Sequence, residues 1–243
     1  MGDNDGDRLR KLVEDLASDP GYASGQRKFP WRVSLDDAAA IAEALHEQVD
    51  RGVEARSAQI AAQGMVLACK RGCNGCCEEP IMVFRPEAAR VARWLEKPEH
   101  ADARAAFLAA YPDWKRRVGA TPAKLSAAML SGEPGAYEAA HVEGHKQGVL
   151  CAFNQNGDCT IYPVRPTACR LGHALDTSEY CGGSSPRPAA RASFVPLSKF
   201  VSRARALLAA THNAARGPKG RVEALCNAVH DLLDKRERSF QQH

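Results

Sequence analysis

Two groups of cysteines are the residues best suited to chemistry in this 243-residue chain. The first group places four thiols within nine residues, and the second spreads four more over a proline-rich stretch further along. The eight are Cys69, Cys73, Cys76, Cys77, Cys151, Cys159, Cys169 and Cys181. Thiolates suit zinc and iron–sulfur clusters, and each such site usually takes four protein ligands. Eight thiols could therefore fill two sites, or fill one and leave the others structural or reactive.

The spacing within the first group indicates how its sulfurs are shared. Cys73-Asn-Gly-Cys76 has the two-residue spacing of a metal knuckle, in which a tight turn brings both sulfurs to one ion. Cys76 and Cys77 are adjacent and project in different directions, so we expect one of them to serve a second site or to stay free. A single site should then combine ligands from the first group with at least one from the second.

Histidines are weaker candidates than the thiols. His173 lies four residues after Cys169 and could replace a thiol or donate a hydrogen bond to a ligand. His141 and His145 could share a helical face, but the order His-Val-Glu-Gly-His is not the zinc-protease motif. We predict that these two are solvated helix residues.

Two arginines flank Cys169. The positive charge of Arg165 and Arg170 would lower the pKa of a nearby thiol and offset the negative charge of a thiolate site. In the alternative interpretation they pair with acidic residues, such as Asp158 or Glu78.

Composition and charge narrow the class of protein. Hydrophobic residues make up 44% and charged residues 26%, which is ordinary for a globular protein. The net charge is +4 with no run of five like charges, so a nucleic-acid partner is not indicated. The acidic N-terminus does not resemble a secretory signal, and no apolar run is long enough to cross a membrane. We expect a cytoplasmic protein, where cysteines are more often metal ligands or redox centres than disulfides.

The pattern of apolar residues predicts the elements that position the cysteines. It favours a mainly α fold, with an N-terminal helix and loop in 1–33 and a single helical domain in 34–243 built around an irregular cysteine region at 66–183. The predicted helices cover 7–17, 34–63, 86–98, 100–118, 121–131, 134–147, 197–215 and 219–239. We recognise no convincing alternation typical of strands.

Three features of this pattern bear on the cysteines. Ser34 and Asp37 form a predicted capping box for a helix whose buried stripe runs as far as Val53, and which ends at Gly64, shortly before the first cysteine group. Prolines push the residues before them out of the helical region, so we expect 151–183 to consist of turns and extended chain, which metal bonds could hold in place. Cys226 falls on the apolar stripe of the last helix, which predicts packing and not metal binding.

The combined motif resembles a known family. Cys69-x3-Cys73-x2-Cys76-Cys77, with Cys151 and Gly-Asp-Cys159-Thr-Ile-Tyr-x2-Arg-Pro-x2-Cys169-Arg further on, is similar to the YkgJ-type cysteine cluster family, described as zinc- or iron-chelating domains. The resemblance covers about residues 66–183. It implies that the eight cysteines bind zinc or iron, with an iron–sulfur cluster as one form. This family has no common established activity.

Several functions remain open at this point. A zinc ion could act purely as a scaffold. The family's resemblance to flagellin lysine N-methylases implies S-adenosylmethionine-dependent methylation of protein lysines, although we recognise no S-adenosylmethionine signature. The Cys69–Cys76 spacing also matches radical enzymes that use the same cofactor, but these need alternating strands and helices. A metal carrier or redox-sensing module could use one of Cys76 and Cys77 as a spare thiol.

Overall fold

The computed structural model describes residues 34–175, 177–187, 189–190, 208–209 and 222–240, with side chains up to residue 234. The predicted helix at 7–17 and all but two residues of the one at 197–215 lie outside this part. Seven α-helices have described bounds, and the prediction of a mainly α fold is confirmed. They are α1 Leu35–Ala62, α2 Arg85–Leu95, α3 Ala101–Val118, α4 Thr121–Ser131, α5 Ala136–His145, α6 Thr167–Leu171 and α7 Leu225–Phe240.

Four strands of two residues each supplement the helices. β1, Met82–Val83, pairs antiparallel with β4, Glu223–Ala224, so that Met82 lies opposite Ala224. β2, Asn154–Gln155, pairs with β3, Asp158–Cys159, in a tight hairpin. Two residues are too few to show the alternation by which a strand is recognised in a sequence. The strands therefore escaped prediction, and α7 begins at residue 225 and not at 219.

Helix α1 begins and ends where its local signals predict. The Ser34 hydroxyl accepts a hydrogen bond from the Asp37 N–H at 3.0 Å, and the Asp37 carboxylate accepts one from the Ser34 N–H at 3.3 Å. Gly64 follows the helix with φ +76°, a left-handed conformation that glycine adopts without strain. Val53 is only partly buried, contrary to prediction, whereas Ile60 near the end of the helix is buried.

Helix α2 is the centre of the described core. It packs between α1 and α7, and Val91 and Leu95 are fully buried in the same apolar cluster as Val229 and Leu233 of α7. It begins one residue before Pro86, which lies in the first turn, where no N–H partner is needed. The core continues towards the second cysteine group through the stacked rings of Phe107 and Phe153, whose centroids are 4.2 Å apart.

A buried polar network joins α1, α2 and α6. Glu87 accepts hydrogen bonds from His46 Nε2 at 3.3 Å and from the Thr167 N–H at 2.9 Å. Arg90 donates to His46 Nδ1 at 2.5 Å, which identifies the imidazole as the neutral form with its proton on Nε2. Burial is the main cause that lowers the pKa of His46. The hydrogen bond from His46 is the main cause that lowers the pKa of Glu87, against the opposing effect of its burial.

Arg170 makes the second connection to α1. Its guanidinium is buried, donates to the carbonyls of Arg165 at 2.7 Å and Pro163 at 2.8 Å, and pairs with Asp50. Arg170 thus pairs with an acidic residue, as in the alternative interpretation, but this residue is Asp50 and not Asp158 or Glu78. Among the described helices, none is both long and apolar enough to cross a bilayer.

Candidate metal centre

Seven of the eight predicted cysteines line one cavity of about 80 Å³, here called the cysteine cavity. They are Cys69, Cys73, Cys76, Cys77, Cys151, Cys159 and Cys169. A single water molecule needs roughly 10–15 Å³ measured in this way, so the cavity has room for a metal centre. The fold thus brings together thiols from both cysteine groups, as the motif predicts.

A tight turn positions the first group. Residues Gly75–Glu78 form one 3₁₀ turn, and the Cys77 N–H donates to the Asn74 carbonyl at 2.8 Å. A Cβ atom on Gly75 would lie 2.6 Å from the Cβ of Cys181. Only glycine therefore allows this turn to pack so closely against the 3₁₀ turn Ser178–Cys181.

Short elements position the second group. The β2–β3 hairpin turns through Asn156 and Gly157, which both have positive φ, and it carries Cys159. Helix α6 carries Cys169, which corrects the expectation that this segment is entirely turns and extended chain. The helix begins directly after Pro166, because proline restricts the residue before it but is compatible with a helix start after it.

Hydrogen bonds of the backbone join the two groups. The Cys151 N–H donates to the Cys77 carbonyl at 2.8 Å, and the Ala68 N–H donates to the Ala174 carbonyl at 2.8 Å. The Ala174 N–H also donates to Cys69 Sγ at 3.1 Å. Such N–H donation favours a sulfur that carries negative charge, as a metal-bound thiolate does.

The thiols at the centre of the cavity are close enough to influence one another. Burial raises the pKa of Cys169, and the neighbouring Cys76, Cys151 and Cys159 raise it further. Burial, with a smaller effect from Cys151, raises the pKa of Cys159 to about 11. Several thiolates in one buried place require a compensating positive charge, which is what a bound metal ion supplies.

Arg165 is a fixed positive charge on the cavity wall. It lies over the ring of Tyr162, 3.9 Å from the ring centre, and it lowers the pKa of Cys169 and of Cys159 against the opposing effect of burial. This is the role predicted for an arginine beside Cys169. Asp158 instead pairs with the exposed Arg71 at 3.2 Å.

The remaining candidate metal ligands lie in different parts of the structure. Cys181 is buried beside Ala174 and does not line the cysteine cavity. His173 does line it, and its Nε2 lies 2.7 Å from the Arg170 carbonyl, with burial as the main cause that lowers its pKa. His141 lies 3.9 Å from Glu79, outside the cavity, and His145 is only partly buried on the same helix.

Cys226 is closer to the site than its sequence context indicates. It is 2% exposed within the apolar core, as predicted, yet its sulfur lies 3.6 Å from that of Cys151. The hydrogen bond between them is the main cause that raises the pKa of Cys151, followed by burial. The contact depends on the pairing of β1 with β4, for which the sequence has no local signal.

The fit to a soft metal ion rests on the chemical type of the donor atoms and not on a preformed coordination geometry. Within the described ranges, no three Cys, His, Asp or Glu side chains converge closely enough to hold one ion as they stand. The cavity nevertheless offers thiols from two segments, a nearby arginine and a backbone N–H directed at sulfur. These donors suit zinc or iron far better than magnesium or calcium, which prefer oxygen.

Comparison with known protein families gives a match that covers the same region. Residues 68–182, a little under half of the chain, match the CxxCxxCC family, described as a "putative zinc- or iron-chelating domain". Neither the curated proteins nor the solved structures gave a match. All seven cysteines of the cysteine cavity, and Cys181 beside it, lie within the matched residues. Over residues 68–182, this chain is therefore similar to the CxxCxxCC family.

Proposed function

We propose that this protein binds zinc or iron through the thiolates of Cys69, Cys73, Cys76, Cys77, Cys151, Cys159, Cys169 and Cys181. The observation that carries the proposal is the cysteine cavity, where thiols from two segments far apart in the sequence surround one space. The match of residues 68–182 to the CxxCxxCC family supports the same chemistry. A bound zinc or iron would cross-link the two segments.

The ligands nearest the centre are expected to come from both groups. Cys76 approaches from the first group, and Cys151, Cys159 and Cys169 approach from the second. Each zinc ion or iron–sulfur cluster normally takes four ligands. These four would satisfy one site, and the other cysteines would provide alternative ligands or a second site.

One observation favours a second function, that of a metal carrier or redox sensor. Seven thiols line the cysteine cavity, whereas one zinc ion takes four ligands, so thiols remain that can exchange metal or react. In a carrier, removal of the metal leaves the fold intact. The circular dichroism spectrum of chelator-treated protein separates the two functions, because loss of helical signal supports a structural metal and retention supports a carrier.

The direct test is elemental analysis of protein purified without oxygen, together with its visible spectrum. We expect zinc or iron in near-stoichiometric amount, and loss of most of it in Cys169→Ser. Val164→Ala is the matched control, because Val164 is buried in the same segment and has no donor atom. Wild-type protein without zinc or iron, or equal metal loss in both variants, would contradict the proposal.

The same measurement decides between the forms of metal. Colourless protein with zinc and no iron would exclude an iron–sulfur cluster, and with it the lysine methylase alternative. A brown protein with iron and sulfide would support the cluster, since iron–sulfur clusters are held by cysteine thiolates.

A further inference from the structure

We propose that Cys226 is a further metal ligand, which shares one ion with Cys77 and Cys151. This inference rests on the proposed chelating function and extends it to a second site that includes a residue outside the family-matched segment. The Cys151 thiolate would bridge the ions of the two sites. Cys226 lies beyond residue 182, where that match ends.

The first observation is the distance between the sulfurs of Cys151 and Cys226, which is 3.6 Å. Two sulfurs bound to one tetrahedral zinc, each at about 2.3 Å, lie roughly 3.8 Å apart. The pair therefore already has the separation of two ligands on one ion. An ordinary contact between two thiols has a similar length, so the surroundings must decide between the two interpretations.

Those surroundings contain a second, smaller cavity of about 20 Å³, lined by Cys77, Cys151 and Cys226. Its volume is close to that of one water-sized sphere, roughly 10–15 Å³. Glu79 also lies on its wall and offers an oxygen donor for a fourth position. This space has the size for a single ion, and its donor side chains would have to rotate inwards to reach it, since no three of them converge as they stand among the described residues.

The adjacent pair Cys76 and Cys77 divides between the two cavities. Both line the cysteine cavity, but only Cys77 also lines the smaller one. Neighbouring residues project in different directions, so two sites can use them more readily than one. The smaller cavity gives Cys77 a role that Cys76 cannot fill.

Backbone pairing fixes Cys226 at this place. The Leu225 N–H donates to the Ile81 carbonyl at 2.9 Å. Leu225 directly precedes Cys226, and Ile81 lies a few residues after Cys77. On the other side, the Cys151 N–H is bonded to the Cys77 carbonyl. These two hydrogen bonds fix the backbone beside all three thiols at the wall of the smaller cavity.

Cobalt titration of the full-length, metal-free chain under reducing, anaerobic conditions tests this inference. We expect Cys226→Ser to weaken binding of one cobalt equivalent by about 10-fold or more and to reduce the sulfur-to-cobalt absorption band. Val229→Ala is the control, because Val229 is fully buried one turn further along α7 and carries no donor. It should leave both cobalt stoichiometry and the absorption band unchanged.

The outcomes separate this inference from the function on which it rests. If wild-type protein shows no sulfur-to-cobalt band, the chelating function itself fails. If Cys169→Ser weakens cobalt binding and Cys226→Ser matches wild type, chelation stands and the role of Cys226 is refuted. If Cys226→Ser and Val229→Ala lose cobalt equally, Cys226 acts by packing, which also overturns the inference.

Discussion

The thiols of the cysteine cavity differ in the groups that surround them. Cys69 receives a backbone N–H, Cys151 shares a hydrogen bond with Cys226, and Cys169 lies in the middle of the short helix α6 near the charge of Arg165. Each of these sulfurs thus has a neighbouring group that helps to place it. Loss of such a supporting group typically costs about 10- to 100-fold in metal affinity.

Arg165 provides the first prediction at the scale of single residues. Arg165→Gln removes the positive charge that favours the thiolate of Cys169, so zinc affinity should fall by about 10- to 100-fold in a competition assay with a coloured chelator. Arg71→Gln is the matched control. Arg71 lies 5.9 Å from the centre of the same Tyr162 ring but is exposed, so its removal should change the affinity little.

His46 provides a prediction for pH. Its pKa is lowered from 6.5 in the folded protein, so the folded state binds fewer protons than the unfolded state, and stability is lost as the pH falls below that value. Protonation would also oppose the hydrogen bond from Arg90. The melting temperature of the wild type should therefore fall between about pH 7.5 and about pH 5.5.

His46→Gln cannot gain a proton and should show a smaller decrease over the same range. Both proteins must carry the same metal content, because protons also compete with metal for thiolates. Parallel curves for the two proteins would show that another group controls the stability.

At the scale of elements, the Ser34 cap fixes the N-terminal end of α1, the helix that leads to the first cysteine group. Ser34→Ala removes the hydroxyl that caps the Asp37 N–H and should lower the free energy of unfolding by about 1 kcal/mol. Ser57→Ala is the control within the same helix. The Ser57 hydroxyl donates to the Val53 carbonyl within the same helix, so its loss should change stability by less than about 0.5 kcal/mol in urea unfolding.

Arg170 connects α6, and with it Cys169, to the loop before it and to α1. Arg170→Met leaves the buried carbonyls of Pro163 and Arg165 without this donor and should cost about 3 kcal/mol of stability. Metal content should fall as well, although no ligand is removed, because Cys169 loses its position. The exposed Arg116→Met should alter neither quantity, and unchanged metal content in Arg170→Met would refute this coupling.

At the scale of the whole molecule, the parts that the sequence predicted are those fixed by local signals. The bounds of α1 to α5 fall within three residues of prediction, because caps, prolines and apolar periodicity lie inside each helix. The grouping of the thiols followed from the type and spacing of the cysteines. The helix bounds and the cysteine spacing are both set by residues that lie close together in the sequence.

What escaped prediction depends on contacts between distant residues. The β1–β4 pair, the contact of Cys151 with Cys226 and the pairing of Arg170 with Asp50 join segments separated by 75 residues or more. A two-residue strand has no periodicity, and a lone cysteine on an apolar stripe is indistinguishable from a packing residue. The division of the chain at residue 33 and the cytoplasmic location remain predictions.

The central claim is that thiolates of both cysteine groups bind zinc or iron. X-ray absorption at the zinc and iron edges, on protein purified without oxygen, tests it most directly because it measures the atoms around the metal. If zinc is bound, we predict a first shell dominated by sulfur at about 2.3 Å in the wild type, and fewer sulfur neighbours in Cys76→Ser and in Cys169→Ser. A shell made only of oxygen and nitrogen, or a sulfur count unchanged in both variants, would contradict the claim.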